Sequence, residues 1–184
     1  MDERGGDGGA TDFDAFVRAS GTQLYRTAYL LCGDHHLAED LTQSTYAKVF
    51  ARWRRLTRSD NPVGYARTTL INTFLSHRRL RRNRETPTDT IGETAYAGDT
   101  AGPTAVLGAD ELATRHDLMA ALRQLSPVDR TVLVARFWED RSVAETAADL
   151  GISQAAVKQR SHRALERLRP HVQPLHEERT GHER

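Results

Sequence analysis

Between Gln154 and Leu168 the chain reads QAAVKQRSHRALERL, and Lys158, Gln159, Arg160, His162 and Arg163 are the residue types that read or hold nucleic acid. A Gln side chain pairs bidentately with an adenine edge and an Arg with a guanine edge, each worth about 1–3 kcal/mol of discrimination. Cations beside them hold phosphates and fix the register. On a helix, Val157, Ala164, Leu165 and Leu168 fall on one side, and Ala155, Gln159, His162, Arg163 and Glu166 on the other. Lys158, Arg160 and Arg167 take the flanks. Ser161 breaks the pattern, because it falls inward, one turn after Val157, where an apolar residue would pack better.

Such a helix needs a partner to hold it. The preceding segment, Val143–Leu150, is short and apolar-periodic, with the small Ala147 four residues before Gly151. A small residue at the crossing and a glycine free to take positive φ in the turn are what a helix-turn-helix requires. Ile152 and Val157 would plug its core. Alone, this motif fits a regulator that binds an operator unaided. Equally, it fits one of two grips on DNA.

A second set of residues favours two grips. Residues 48–84 hold 11 basic groups and 1 acidic group, a local charge of +10 inside a chain whose net charge is +1. Residues 1–47 (−5) and 85–140 (−6) are acidic, and 141–184 carry +2. A block so basic is the electrostatic footprint of a polyanion partner. Within it, Tyr65 and Asn72 are seven apart and share a helix face, followed by Arg78, Arg79, Arg81, Arg82 and Arg84. Upstream, Glu39, Asp40, Gln43 and Ser44 share an outer face, while Ala38, Thr45, Val49 and Trp53 face inward.

Catalytic chemistry is not indicated. No nucleophile–base constellation or Gly-rich phosphate loop stands out, so no enzyme and no cofactor are expected. His35 and His36 adjoin Glu39 and Asp40, but neighbouring side chains diverge on a helix and no distant ligands accompany them; no metal is expected. Cys32 is the only cysteine, which excludes an internal disulfide. No apolar run approaches the ~20 residues of a membrane span, and the N-terminus, MDERGGDGGATD, is acidic and Gly-rich, unlike a signal peptide. These features predict a cytoplasmic protein without membrane insertion.

The elements that position these residues read as all-α, in two small helical domains on a flexible tether. Helices are predicted over about 11–31, capped by Thr11 or Asp12, 35–54 and 62–82, with Cys32-Gly33-Asp34 as a stop and a new cap. Residues 85–110 lack basic residues and sustained periodicity, and read as an acidic linker. Helices resume over 112–125, 127–138, 143–150 and 154–168. The predicted boundaries are a disordered 1–11, a first domain 12–84, the linker 85–110, a second domain 111–170 and a frayed tail 171–184.

FVRASGTQLYRTAYLLCGDHHLAEDLTQSTYAKVFARW, with its AEDLTQ motif, resembles the sigma-2 domain of extracytoplasmic-function sigma factors. AALRQLSPVDRTVLVARFWEDRSVAETAADLGISQAAVKQRSHRALERL resembles their sigma-4 domain. The match spans about residues 12–84 and 112–170, in the family's order. It implies a dissociable specificity subunit with no catalytic residues, whose partners are bacterial core RNA polymerase and promoter DNA, duplex at the −35 element and melted at the −10 element. An anti-sigma factor is a common further partner in the family. The resemblance implies that Glu39, Asp40, Gln43 and Ser44 dock on the polymerase clamp. It assigns the −10 element to the Leu56–Asn61 loop with Arg58, to Tyr65 and Asn72, and to arginines including Arg78, Arg79 and Arg82. It assigns the −35 element to Lys158, Gln159, Arg160, His162 and Arg163. An acidic linker would occupy basic channels of the polymerase. Tyr65 stands where the family often has Trp, and Ser76-His77 where Asp is common, so the promoter sequence is open.

Overall fold

The computed structural model of the protein describes residues 7–56, 61–84 and 117–180. Among these, regular structure is entirely helical, and the chain divides into two compact units, residues 1–84 and 85–184. Arg58 and the acidic segment 85–110 lie outside the described residues.

The first unit contains α1 (Asp7–Cys32), α2 (His35–Phe50), the short α3 (Trp53–Leu56) and α4 (Pro62–Arg84). α1, α2 and α4 pack pairwise, with α3 as a corner. α1 begins ahead of the Thr11 or Asp12 cap read from the sequence, so both residues lie inside the helix. Its end is as expected: Gly33 takes φ 71°, a conformation cheap only for glycine, and donates its N–H to the Tyr29 carbonyl at 2.7 Å. Asp34 then caps α2 by accepting from the Leu37 N–H at 2.7 Å.

The interior joins Leu24, Ala28 and Leu31 to Ala38, Leu41 and Val49, and these to Leu70, Ile71 and Phe74. Thr42 and Thr45 are buried too, because each hydroxyl donates to the carbonyl four residues back, at Ala38 and Leu41, both at 2.7 Å. The helix predicted over 35–54 is broken. After Phe50 the chain tightens, with the Arg52 N–H bonded to the Val49 carbonyl at 3.0 Å. Trp53 and Leu56 thereby turn into the core, where Trp53 meets Phe16 at 4.9 Å and Phe13 at 5.1 Å.

The second unit comprises residues 117–123 (α5), α6 (Pro127–Leu133) with a π-helical last turn (Val134–Trp138), α7 (Val143–Leu150) and α8 (Gln154–Thr180). Arg130 is almost fully buried beneath the end of α5. Its guanidinium donates to the carbonyls of Leu122 (2.8 Å), Arg123 (3.1 Å) and Leu125 (3.4 Å), in the last turn of α5 and just after it, where helical acceptors run short of backbone donors. α8 runs past the end expected near residue 170, through the predicted frayed tail, to Thr180. After Gly151 the next glycine is Gly181, and Pro170 and Pro174 each remove one helical hydrogen bond without demanding positive φ.

Candidate nucleic-acid and polymerase interfaces

The helix-turn-helix is built from its caps inward. Ser142 and Glu145 form a reciprocal capping box at the start of α7, with the Glu145 N–H on Ser142 Oγ at 3.1 Å and the Ser142 N–H on Glu145 Oε2 at 2.8 Å. The hydrogen bond from the Ser142 backbone, then that from its side chain, then the Arg141 charge hold the Glu145 carboxyl below its ordinary range. The S-x-x-E spacing was a legible signal that the sequence reading passed over. Gly151 closes α7 at φ 62°, and the Ile152 N–H reaches back to the Ala147 carbonyl at 3.1 Å. Ser153 caps α8 through the Ala156 N–H at 3.1 Å. Val132, Ala147 and Val157 form the core, with Val143, Leu150 and Ile152 packed against it. The small residue, the glycine and the two plugs stand where the spacing predicts.

With α8 held this way, Lys158, Gln159, His162 and Arg163 are exposed together. Arg160 is not free beside them. It turns inward and bonds Asp129 of α6 at 2.7 Å, so its guanidinium serves the α6–α8 contact rather than a phosphate. Burial pushes the Asp129 carboxyl up, but the hydrogen bonds from Arg160 and Ser126 and the charges of Arg160 and Arg163 together hold it below its ordinary value. Leu165 also departs from the wheel, being 45% exposed on the bare flank of α8. Ser161 lies inward as read, and its Oγ is shielded from solvent without a hydrogen-bond partner among the described residues.

In the first unit, Glu39, Asp40, Gln43 and Ser44 are all exposed along α2, with Ala38, Thr45 and Val49 buried behind them. His35 is engaged elsewhere: its Nδ1 meets the Tyr25 hydroxyl at 2.7 Å and its ring stacks on Tyr29 at 4.3 Å. Among the described residues no group of three or more His, Cys, Asp or Glu is placed to hold a metal ion, and no helix is long and apolar enough to cross a membrane.

On α4, Tyr65 is half-buried, and Asn72, Arg78, Arg79, Arg81 and Arg82 are exposed. Two expected contacts have structural tasks. Leu56 is 8% exposed, because the α3 corner turns it into the core, so its side chain is absent from the reading surface. Asn61 caps α4: its Oδ1 accepts from the Gly64 N–H at 2.7 Å, ahead of Pro62 at the first helical position. A Cβ at Gly64 would fall 2.6 Å from Asn61 Nδ2, so a larger residue there would make the capping side chain shift. Along this face, Lys48 Nζ donates to Thr73 Oγ1 at 2.8 Å and the Arg52 guanidinium donates to the Tyr65 hydroxyl at 2.9 Å. Sequence reasoning missed both links, because their partners lie 25 and 13 residues apart, Lys48 on α2 and Arg52 in the turn after it, with Thr73 and Tyr65 on α4.

Residues 16–84 match Sigma-70 region 2, and residues 121–170 match Sigma-70, region 4. The chain is 36% identical over 162 residues to the RNA polymerase sigma-E factor of Streptomyces coelicolor, covering 88% of this chain and 86% of that protein. It is 31% identical over 156 residues to the ECF RNA polymerase sigma factor SigL of Mycobacterium tuberculosis, covering 83% and 84%. Among solved structures, the sigma factor RpoE in complex with the anti-sigma factor NepR from Bartonella quintana has the same fold, with a TM-score of 0.64 at 24% identity over 88% of this chain and 97% of that one. CnrH in complex with the cytosolic domain of CnrY gives a TM-score of 0.53 at 20% identity, covering 88% of each chain. Sigma factors join core RNA polymerase, direct transcription initiation at promoters, and are non-catalytic; with both regions present in order and relatives matched over most of their length, this chain belongs to the extracytoplasmic-function group of the sigma-70 family.

Proposed function

We propose that the exposed faces of the two units divide the work of promoter recognition. The outer face of α2, with Glu39, Asp40, Gln43 and Ser44, docks on core polymerase. α4 reads the melted −10 element with Tyr65 and Asn72, and Arg78, Arg79 and Arg82 hold its phosphates. Extruding a base costs a few kcal/mol, and stacking it on an aromatic platform returns about 1–3 kcal/mol. α8 reads the duplex −35 element with Gln159 and Arg163, flanked by Lys158 and His162. Tethering two modest readers raises the effective concentration of each, so neither need bind tightly alone. The protein itself performs no covalent chemistry. It acts in the cytoplasm, where core polymerase and promoter DNA are, and an anti-sigma factor restrains it, as the complexes of its structural neighbours suggest.

One observation carries this reading: Lys158, Gln159, His162 and Arg163 stand exposed on the second helix of a fully capped helix-turn-helix, in the same chain as an exposed arginine row on α4. Run-off transcription tests it, with the purified protein, bacterial core RNA polymerase and a set of promoter templates. A discrete transcript that needs both proteins is expected. Arg163→Ala should weaken it through the −35 element, and Gln43→Ala should weaken binding to core. Core binding unchanged by Gln43→Ala, or initiation unchanged by Arg163→Ala, refutes the corresponding assignment.

A further inference from the structure

We infer that Arg52 is a positioning residue for promoter opening, which acts by holding Tyr65 rather than by touching DNA. The proposal rests on the reading of Tyr65 as part of the −10 surface. The Arg52 guanidinium donates to the Tyr65 hydroxyl at 2.9 Å, a charge-assisted bond that holds the half-buried ring by its hydroxyl end. The backbone of Arg52 is itself fixed on both sides. Its N–H bonds the Val49 carbonyl at 3.0 Å, and its carbonyl accepts from Arg55 at 2.9 Å and Leu56 at 3.1 Å. Burial of Trp53 and Leu56 anchors that corner in the core. One turn earlier, Lys48 ties α2 to Thr73 of α4, whose hydroxyl donates back to the Thr69 carbonyl at 2.7 Å. The end of α2 and the turn that follows it are thus registered against the face of α4 by two cationic donors. A cation whose bond is directed at the reading aromatic pre-orders it, which lowers the rotamer entropy lost when a base stacks. Ordering one such side chain in advance is worth roughly two- to tenfold in binding.

The test compares promoter opening, by permanganate reactivity of the melted strand, in holoenzymes carrying the wild-type chain, Arg52→Ala, Arg52→Lys, Tyr65→Phe, Tyr65→Ala and the double variant Arg52→Ala/Tyr65→Phe. Arg52→Ala and Tyr65→Phe should each lower opening by about two- to tenfold. The double variant should be no worse than either, and Arg52→Lys should recover part of the loss. Because no phosphate contact is removed, the dependence of promoter binding on salt should stay unchanged in Arg52→Ala. Losses that multiply in the double variant, or a salt slope shallower by about 1, overturn the proposal and make Arg52 an independent phosphate contact. Opening that is unchanged in Tyr65→Ala overturns the assignment of Tyr65 to the −10 element, and the role of Arg52 with it.

Discussion

At the scale of single residues, the second unit shows how a polar side chain divides between surface and interior duty. Ser161 has an inward hydroxyl without a partner among the described residues, and leaving such a group buried costs about 1–3 kcal/mol. Ser161→Ala should therefore raise the unfolding free energy by about 1 kcal/mol, read by denaturant titration; a loss of stability would show that the hydroxyl is satisfied in solution. Arg160 and Asp129 make the opposite case, a cation and a carboxylate consumed by one another across α6 and α8. Since the Asp129 carboxyl is held below its ordinary 3.8, its contribution is full at neutral pH and disappears as the pH falls through the lowered value. Asp129→Asn should cost about 1–3 kcal/mol at pH 7, and the difference from wild type should close in acid. A gap that persists once the carboxyl is protonated would point to lost packing instead.

At the scale of elements, turns and caps decide whether the reading helices are presented at all. Gly151 sits at φ 62°, and a Cβ there would meet nothing within 4 Å, so its requirement is conformational and not steric. Gly64 has the reverse requirement: nothing demands its backbone freedom, but a Cβ would displace the Asn61 cap. Gly151→Ala should cost about 1 kcal/mol through positive φ alone. Gly64→Ala should cost a similar amount, and Asn61→Ala should remove most of that penalty, because the cap it disturbs is already gone. Additive losses in the Gly64→Ala/Asn61→Ala pair, measured by thermal unfolding, would show that the glycine acts independently of the cap.

At the scale of the whole molecule, the segregation of charge carries the argument. A block of +10 over residues 48–84 lies in a chain of net charge +1, so nucleic acid is attracted most strongly to that region, while residues 1–47 and 85–140 are acidic and 141–184 carry only +2. Each phosphate contact on single strands contributes about 0.7 to the slope of log affinity against log salt, and about 0.9 on duplex. Replacing Arg78, Arg79 and Arg82 together by Gln should make the salt dependence of promoter binding shallower by about 2–3. Core binding through α2 should be unaffected. An unchanged slope would remove these arginines from the phosphate contacts.

The helical class, the short turn at Gly151, the outward face of α2 and most of the outward face of α8 were determined by the sequence alone. Each follows from a local rule: a period of 3.6, a cap, or a glycine where φ must be positive. Tertiary structure decided the rest, because it depends on partners distant in the chain. Arg160 reads as a phosphate contact until Asp129, 31 residues earlier, is folded against it. Leu165 falls on the inward side of a wheel, yet it is left 45% exposed. Leu56 reads as the start of a loop, and becomes core once the chain tightens after Phe50 and carries Trp53 inward. The bond from Arg52 to Tyr65 exists only when α2 and α4 lie side by side, since periodicity specifies which face a side chain occupies and packing specifies what that face meets.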